Sequence, residues 1–213
     1  MGLTVRPYAK VSRTDNKTDD ASPSKELKGG FDIYKNITPN LVGALTVHTD
    51  FAETDVDQRR LNLTRFPLFY PEKRTFFLEG SDIFEFGNTS STSFLPFFSR
   101  RIGLLEGQQV PLQWGTKLYG KISNTNLAIL DVQSGSNGIV APTNMFAGRI
   151  SQNIMDESKV GMIVTNGSQD GKQNTLVGVD FKYKTSRFLG KDNFSFDLWG
   201  IKNWNEAKGG NKN

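Results

Sequence analysis

The chain has no cysteine and a single histidine, His48, among its 213 residues. The lack of cysteine excludes disulfides, thiolate nucleophiles and cysteine-ligated zinc. His48 lies near the end of a predicted strand, without a second histidine, a serine elbow or an HExxH pattern nearby. We therefore interpret His48 as an interface residue, and we predict no cofactor, no metal site and no catalytic residue.

Long hydrophobic runs are also missing. Hydrophobic residues make up 36% of the chain, and no run approaches the roughly 18 to 20 apolar residues of a membrane-spanning helix. Any spanning structure must then be a closed barrel, whose strands need only about 9 to 11 residues. The stretch GLTVRPYAKV after Met1 lacks the basic region and apolar core of a secretory signal. We expect the chain to be either cytosolic or an internal piece of a longer protein.

Neither positive nor negative charge dominates the sequence. The formal net charge is +4, but the lysines and arginines are scattered among acidic residues and form no basic stripe. We therefore predict no nucleic-acid partner.

Period-two alternation of polarity predicts nine strands. In the clearest of them Val177, Val179 and Phe181 share one face, while Asp180 and Lys182 share the other. Tyr183, Trp199 and Trp204 are candidates for aromatic girdles at a membrane interface. The predicted strands cover residues 3–11, 27–35, 40–49, 115–122, 126–133, 143–152, 159–165, 175–185 and 193–204.

The connections between these strands alternate between long and short. This rhythm is typical of an outer-membrane barrel, with short periplasmic turns and longer outer loops. A half-buried soluble sheet gives the same side-chain alternation but has no reason to keep the loop rhythm. We predict an all-β fold: an antiparallel up-and-down meander, residues 1–213, forming part of a transmembrane barrel in the cell outer membrane. The odd strand count predicts that it is the N-terminal part of a larger barrel.

A long insertion, residues 50–114, concentrates charges and phenylalanines. We predict a plug-like segment, with rings packed together and arginines paired with carboxylates. Two alternatives stay open at this point. The acids Asp50, Glu53, Asp55 and Asp57 offer calcium ligands without the loop spacing of a known calcium motif, and Glu72 with Glu79 or Asp82 offers a carboxylate pair for glycoside hydrolysis.

The segments NLTRFPLFYPEKRTFFLEGSDIFEFG, FFSRRIG, GTKLYGKI, NLAILDVQ and PTNMFAGRI resemble the family labelled domain of unknown function 5916. The resemblance implies an outer-membrane barrel that follows a carbohydrate-binding-module family 9-like domain. It also implies labels of carbohydrate binding or hydrolase activity, which we attribute to the upstream domain. We predict a structural motif made of Asn62, Arg65, Glu72, Lys73, Arg74, Phe76, Phe77, Glu79, Gly80, Asp82, Arg100 and Arg101.

The functional prediction is a barrel segment of a cell-surface protein linked to carbohydrate binding, uptake or processing, with no catalytic role of its own. The expected partners are outer-membrane lipid, a carbohydrate ligand and the upstream periplasmic domain. The first alternative is a soluble extracytoplasmic glycan-binding domain, in which Trp114, Trp199, Trp204 or the tyrosines stack on sugar rings. The second is a carbohydrate-active hydrolase that uses Glu72, Glu79 or Asp82.

Overall fold

The structure is a computed structural model that describes residues 2–14, 24–48, 71–87, 95–105, 108–136, 138 and 140–205. The acids proposed as calcium ligands, Asp50, Glu53, Asp55 and Asp57, lie outside these described residues. Asn62 and Arg65 of the predicted motif also lie outside them.

The described residues form eleven strands and little helix. Within these described ranges the only α-helical piece is the single turn α1 (Thr75–Leu78), and two 3-10 turns cover Ser81–Phe84 and Ser99–Arg101. The strands are β1 (Leu3–Thr14), β2 (Ser24–Thr38), β3 (Leu41–Val47), β4 (Leu104–Leu105), β5 (Gln108–Gln109), β6 (Leu112–Ile122), β7 (Thr125–Ser134), β8 (Asn144–Ile154), β9 (Ser158–Asn166), β10 (Asn174–Phe188) and β11 (Asp192–Asn205).

Nine of these strands form one antiparallel sheet in the order β1-β2-β3-β6-β7-β8-β9-β10-β11. Each strand pairs with the next long strand along the chain, so the predicted nine-stranded meander is confirmed. Within the described residues the sheet is not closed, because β1 and β11 each pair on one side only. The sheet order therefore leaves two edges.

The connections alternate strictly in length. Short turns cover residues 39–40, 123–124, 155–157 and 189–191, and the longer connections cover 15–23, 48–111, 135–143 and 167–173. Because neighbouring strands are antiparallel, all short turns lie at one end of the sheet and all long connections at the other.

One face of the sheet, here called the outer face, is apolar and exposed. Directly opposed residues of neighbouring strands share a face, so the pairings give continuous rows. Val179 is 56% exposed and Leu198 is 60% exposed. Such exposure is unusual for large apolar side chains in the middle of strands when they form a continuous patch. One row runs Leu127, Ile150, Met162 and Val179, another runs Leu118, Ile129, Gly148, Val164 and Val177, and a third joins Val5, Ile33 and Leu45.

The opposite face, here called the inner face, carries the charges and is partly covered by the long insertion. Residues 71–87 and 95–105, together called the insert, pack on this face. The largest buried cluster joins insert residues such as Phe76, Phe77 and Phe84 to sheet residues such as Leu130 and Ala147. The core is therefore built between the insert and one face of the sheet, not between two sheets.

Three details differ from the sequence predictions. The insertion ends earlier than expected, because β6 begins at Leu112. Within it, β4 and β5 pair as a small separate sheet that the sequence pattern did not predict. Trp199 faces inward, with its ring 6.5 Å from that of Phe86, because it alternates with the outward-facing Leu198. Its prediction as a girdle residue is wrong.

In the described part of the chain, no helix has the length and apolar character needed to cross a membrane.

Candidate functional site

The insert is organised around a buried ion pair between Glu72 and Arg74. Arg74 Nε and Nη2 donate to the two carboxylate oxygens of Glu72 at 2.9 and 2.8 Å. The side chains are 8% (Glu72) and 2% (Arg74) exposed. Two parallel hydrogen bonds between a guanidinium and a carboxylate make the strongest type of ion pair.

The same pair fixes a second part of the insert. Arg74 Nη1 donates to the carbonyl of Ile102 at 2.8 Å, and Nη2 donates to that of Ser99 at 2.9 Å. The Ser99 hydroxyl donates to Glu72 at 2.9 Å. The Arg74 guanidinium also lies 4.1 Å from the centre of the Phe77 ring. Residues 71–78 and 99–102 are thus joined through one guanidinium.

Glu72 is ionised in this arrangement. Burial by itself favours the neutral acid, but the hydrogen bonds and charge of Arg74, with the Ser99 hydroxyl, outweigh it and hold the pKa of Glu72 below its usual value. Its oxygens also accept the backbone N–H groups of Lys73 and Arg74, at 3.1 and 3.0 Å. A carboxylate so fully bonded is unsuited to donate a proton as a general acid.

Lys117 of β6 attaches the short helix to the sheet. Its ammonium donates to the carbonyls of Phe76 and Glu79, at the C-terminal end of α1, where carbonyl groups lack helical partners. It also lies 4.6 Å from the centre of the Tyr119 ring. Lys117 is 4% exposed, so a buried cation is compensated by main-chain oxygens and a ring face.

Glu79 connects the insert to β6 a second time and also to β1. The Tyr119 hydroxyl of β6 donates to Glu79 Oε2 at 2.6 Å, and Arg6 of β1 donates to Oε1 at 3.3 Å. The Arg6 contact is half-exposed and therefore weak.

Position 80 requires glycine for two reasons: its backbone conformation and its closeness to Tyr119. It has φ 69°, in the left-handed region, and a Cβ built there would lie 2.2 Å from Cδ2 of Tyr119. Only glycine avoids both the backbone strain and the collision. The glycine lets the chain turn directly over the Tyr119 ring.

Substituting Gly80 with alanine should therefore destabilise the protein by more than the strain of a left-handed residue alone, which is about 1 to 2 kcal/mol. The matched control is Gly190→Ala, because Gly190 also has positive φ (92°) but no atom within 4 Å of its built Cβ. Urea unfolding followed by tryptophan fluorescence would compare the two variants. Equal losses would show that the Tyr119 contact contributes nothing.

A second buried ion pair joins β8 to β10. Arg149 donates to both oxygens of Asp180, Nη1 at 2.6 Å and Nη2 at 2.8 Å. Arg149 is fully buried and Asp180 is 10% exposed. The end of the 71–87 segment closes over this pair: Gly87 N–H donates to Asp180 at 3.1 Å, and the Phe86 ring centre lies 5.4 Å from the Arg149 guanidinium.

The structure brings part of the predicted motif together. Glu72, Arg74, Phe76, Phe77, Glu79 and Gly80 all lie in the insert contacts described above, and Lys73 contributes its N–H. Arg100 is buried, whereas Arg101 and Asp82 are exposed. Sequence reasoning missed Lys117, Tyr119, Arg149 and Asp180 as partners of the insert. The sequence does show that these four residues are polar or charged and lie in the middle of strands. Which groups they contact depends on the register of the sheet, which the sequence pattern does not show.

Among the described residues, no group of three histidine, aspartate or glutamate side chains is placed to hold a metal ion. His48 follows β3 with φ 53°, is exposed, and accepts a hydrogen bond from Tyr8 on its carbonyl oxygen.

Over the residues that the structure describes, the protein is an all-β antiparallel meander that is not closed, with an inserted, ion-paired segment on part of its charged face. A family model described as domain of unknown function 5916 matches residues 1–129, more than half of the chain. The chain therefore belongs to that family, as its sequence resemblance predicted. Searches among curated proteins and among solved structures give no match.

Proposed function

We propose that the sheet is part of a β-barrel in the cell outer membrane, with the insert as a plug-like element on its inner face. The observation that carries the proposal is the reversed polarity of the sheet: large apolar side chains such as Ile150 and Val179 are exposed, whereas Arg149 and Lys117 are buried. A water-soluble sheet places its apolar face against a second layer. A barrel in lipid places it outward.

The connections support the same arrangement. In outer-membrane barrels short turns lie on the periplasmic side and longer loops outside, and the alternation in this chain places the insertion with the longer loops. The two sheet edges, β1 and β11, would then pair with further strands that close the barrel, since a barrel in lipid leaves no edge unpaired.

For the biological role we propose a cell-surface protein linked to carbohydrate binding, uptake or processing. This part rests on the family resemblance, which implies an upstream periplasmic domain like carbohydrate-binding-module family 9. We assign no catalytic step to the chain. Glu72, one of the three acids that the hydrolase alternative names, has its carboxylate occupied by Arg74 and Ser99.

Spin labels can test the membrane assignment. The 213 residues contain no cysteine, so a cysteine introduced here is the single labelling site within this region. We would place a nitroxide in the full-length protein at Met162 or Val179 on the outer face. The controls are Lys182 and Asn203 on the inner face.

In reconstituted lipid, the outer-face labels should collide with oxygen and be protected from a water-soluble nickel complex. The inner-face labels should show the opposite preference. Equal nickel accessibility at both faces, with the protein recovered in the soluble fraction, would overturn the membrane assignment. That outcome would favour the soluble glycan-binding domain.

A further inference from the structure

A cavity of about 470 Å³ lies between the insert and the sheet. Its apolar floor is formed by Leu130, Met145 and Ala147 of β7 and β8, and Phe97 and Phe98 of the insert line another wall. Because Met145 lies at the start of β8, the cavity is at the end of the sheet with the long connections. Its volume is within the range of small-molecule sites, about 300 to 1,000 Å³.

The polar lining comes mainly from the connection 167–173 and the strand ends beside it. Gln169 is 7% exposed, and its Oε1 accepts the N–H of Gly103 at 2.7 Å. Its Nε2, a buried donor, has no hydrogen-bond partner among the described residues, and neither does Oδ1 of Asn174, a buried acceptor. Both residues line the cavity. Leaving such groups without a partner costs about 1 to 3 kcal/mol each, so a bound molecule that pairs with them would recover this cost.

The charges around the cavity offset each other. Arg101 and Asp170 both line it, so neither charge sign prevails, and Asp170 is already paired with Lys172. A multiply charged ligand would meet one cationic and one acidic side chain among the described lining residues, and no cluster of a single sign. The remaining recognition groups are neutral amides and aromatic rings.

We propose that this cavity binds a neutral saccharide. A sugar hydroxyl can accept from Nε2 of Gln169, and a hydroxyl can also donate to Oδ1 of Asn174, while the apolar face of the ring packs on Phe97 or Phe98. The proposal rests on the proposed carbohydrate role and assigns the site for it within this chain.

The test is titration calorimetry of the full-length protein in lipid nanodiscs with maltose, cellobiose and N,N′-diacetylchitobiose. Gln169→Glu keeps the oxygen that accepts from Gly103 but replaces the unpartnered donor with an oxygen. Asn174→Leu removes the unpartnered acceptor. The control is Gln173→Glu, which makes the same charge change in the same connection at an exposed residue that does not line the cavity.

We expect saturable binding of at least one of these sugars, weakened about tenfold or more by Gln169→Glu and by Asn174→Leu, and unchanged in Gln173→Glu. An unchanged urea midpoint would show that each variant is folded. If Asn174→Leu misfolds, Asn174→Asp replaces it in the test: this variant keeps the acceptor oxygen and should bind the sugar.

Sugar binding that is equally strong in all variants would overturn the cavity site but leave the proposed carbohydrate role, since the sugar would bind elsewhere in the protein. No binding of any of the three sugars to folded protein would overturn the saccharide assignment. Spin-label accessibility reports membrane insertion independently of either result.

Discussion

Replacing Arg149 with alanine should lower the free energy of unfolding by about 3 to 5 kcal/mol, because the carboxylate of Asp180 would stay buried without its partner. Arg149 is fully buried, and both of its Nη atoms bond to Asp180. The variant also removes the cation beneath Phe86. Urea unfolding of the protein in its native membrane mimic would measure the loss.

The matched control for Arg149 is Lys182→Ala on the same sheet face. Lys182 is half-exposed and lies 3.8 Å from Asp197, so its removal should cost at most about 1 kcal/mol. A double variant, Arg149→Met with Asp180→Leu, should recover part of the loss because no charge remains buried. A loss in Arg149→Ala no greater than in Lys182→Ala would contradict the assignment of a buried, tightly coupled pair.

Replacing Arg74 with alanine should release the insert, again at a cost of about 3 to 5 kcal/mol. Glu72 would keep a buried negative charge, and the carbonyls of Ser99 and Ile102 would lose their donor. Unlike the Arg149 variant, this change acts within the insert. We therefore expect faster amide hydrogen exchange in residues 71–87 and 95–105, with the strands of the sheet less affected.

Arg101→Ala is the control for the Arg74 variant, because Arg101 belongs to the same insert and is exposed. Its exchange pattern should match that of the unmodified protein. If Arg74→Ala leaves exchange in residues 71–87 unchanged, the Glu72–Arg74 pair does not hold the insert in place.

These contacts give the insert a physical role under the proposed function. Glu79, Lys117 and the Arg149–Asp180 pair attach it to strands spread across the sheet, from β1 to β10. Moving it away from the inner face would take the carbonyl acceptors from the Lys117 ammonium and the Tyr119 hydroxyl from Glu79.

The strands were predictable from the sequence because alternating polarity is a local property. Val177, Val179 and Phe181 alternate with Gly178, Asp180 and Lys182, and this period of two needs no knowledge of the rest of the chain. The turn residues at 39–40 and 123–124 are local signals of the same kind. The family segments in residues 62–86 were also recognisable, yet their partners were not.

The partners of the charged residues could be predicted only within short stretches of sequence. Glu72 and Arg74 are two positions apart, and pairing of some kind within the insert was expected from composition. Arg149 and Asp180 are in different strands that are not neighbours in the sheet, and their contact depends on the register of β8, β9 and β10. Register is set by the whole set of hairpins, so no short window of sequence contains it.

The sequence by itself determined the all-β meander, the alternation of its connections and the family, because strand periodicity, turn residues and family motifs each lie within a short stretch of the chain. The tertiary structure decided which face carries the insert, which charges are paired and buried, and that Trp199 is on the inner face. It also assembled the cavity around Gln169 and Asn174. Those features join residues far apart in the chain, so they depend on how the strands and the insert pack together and not on proximity in sequence.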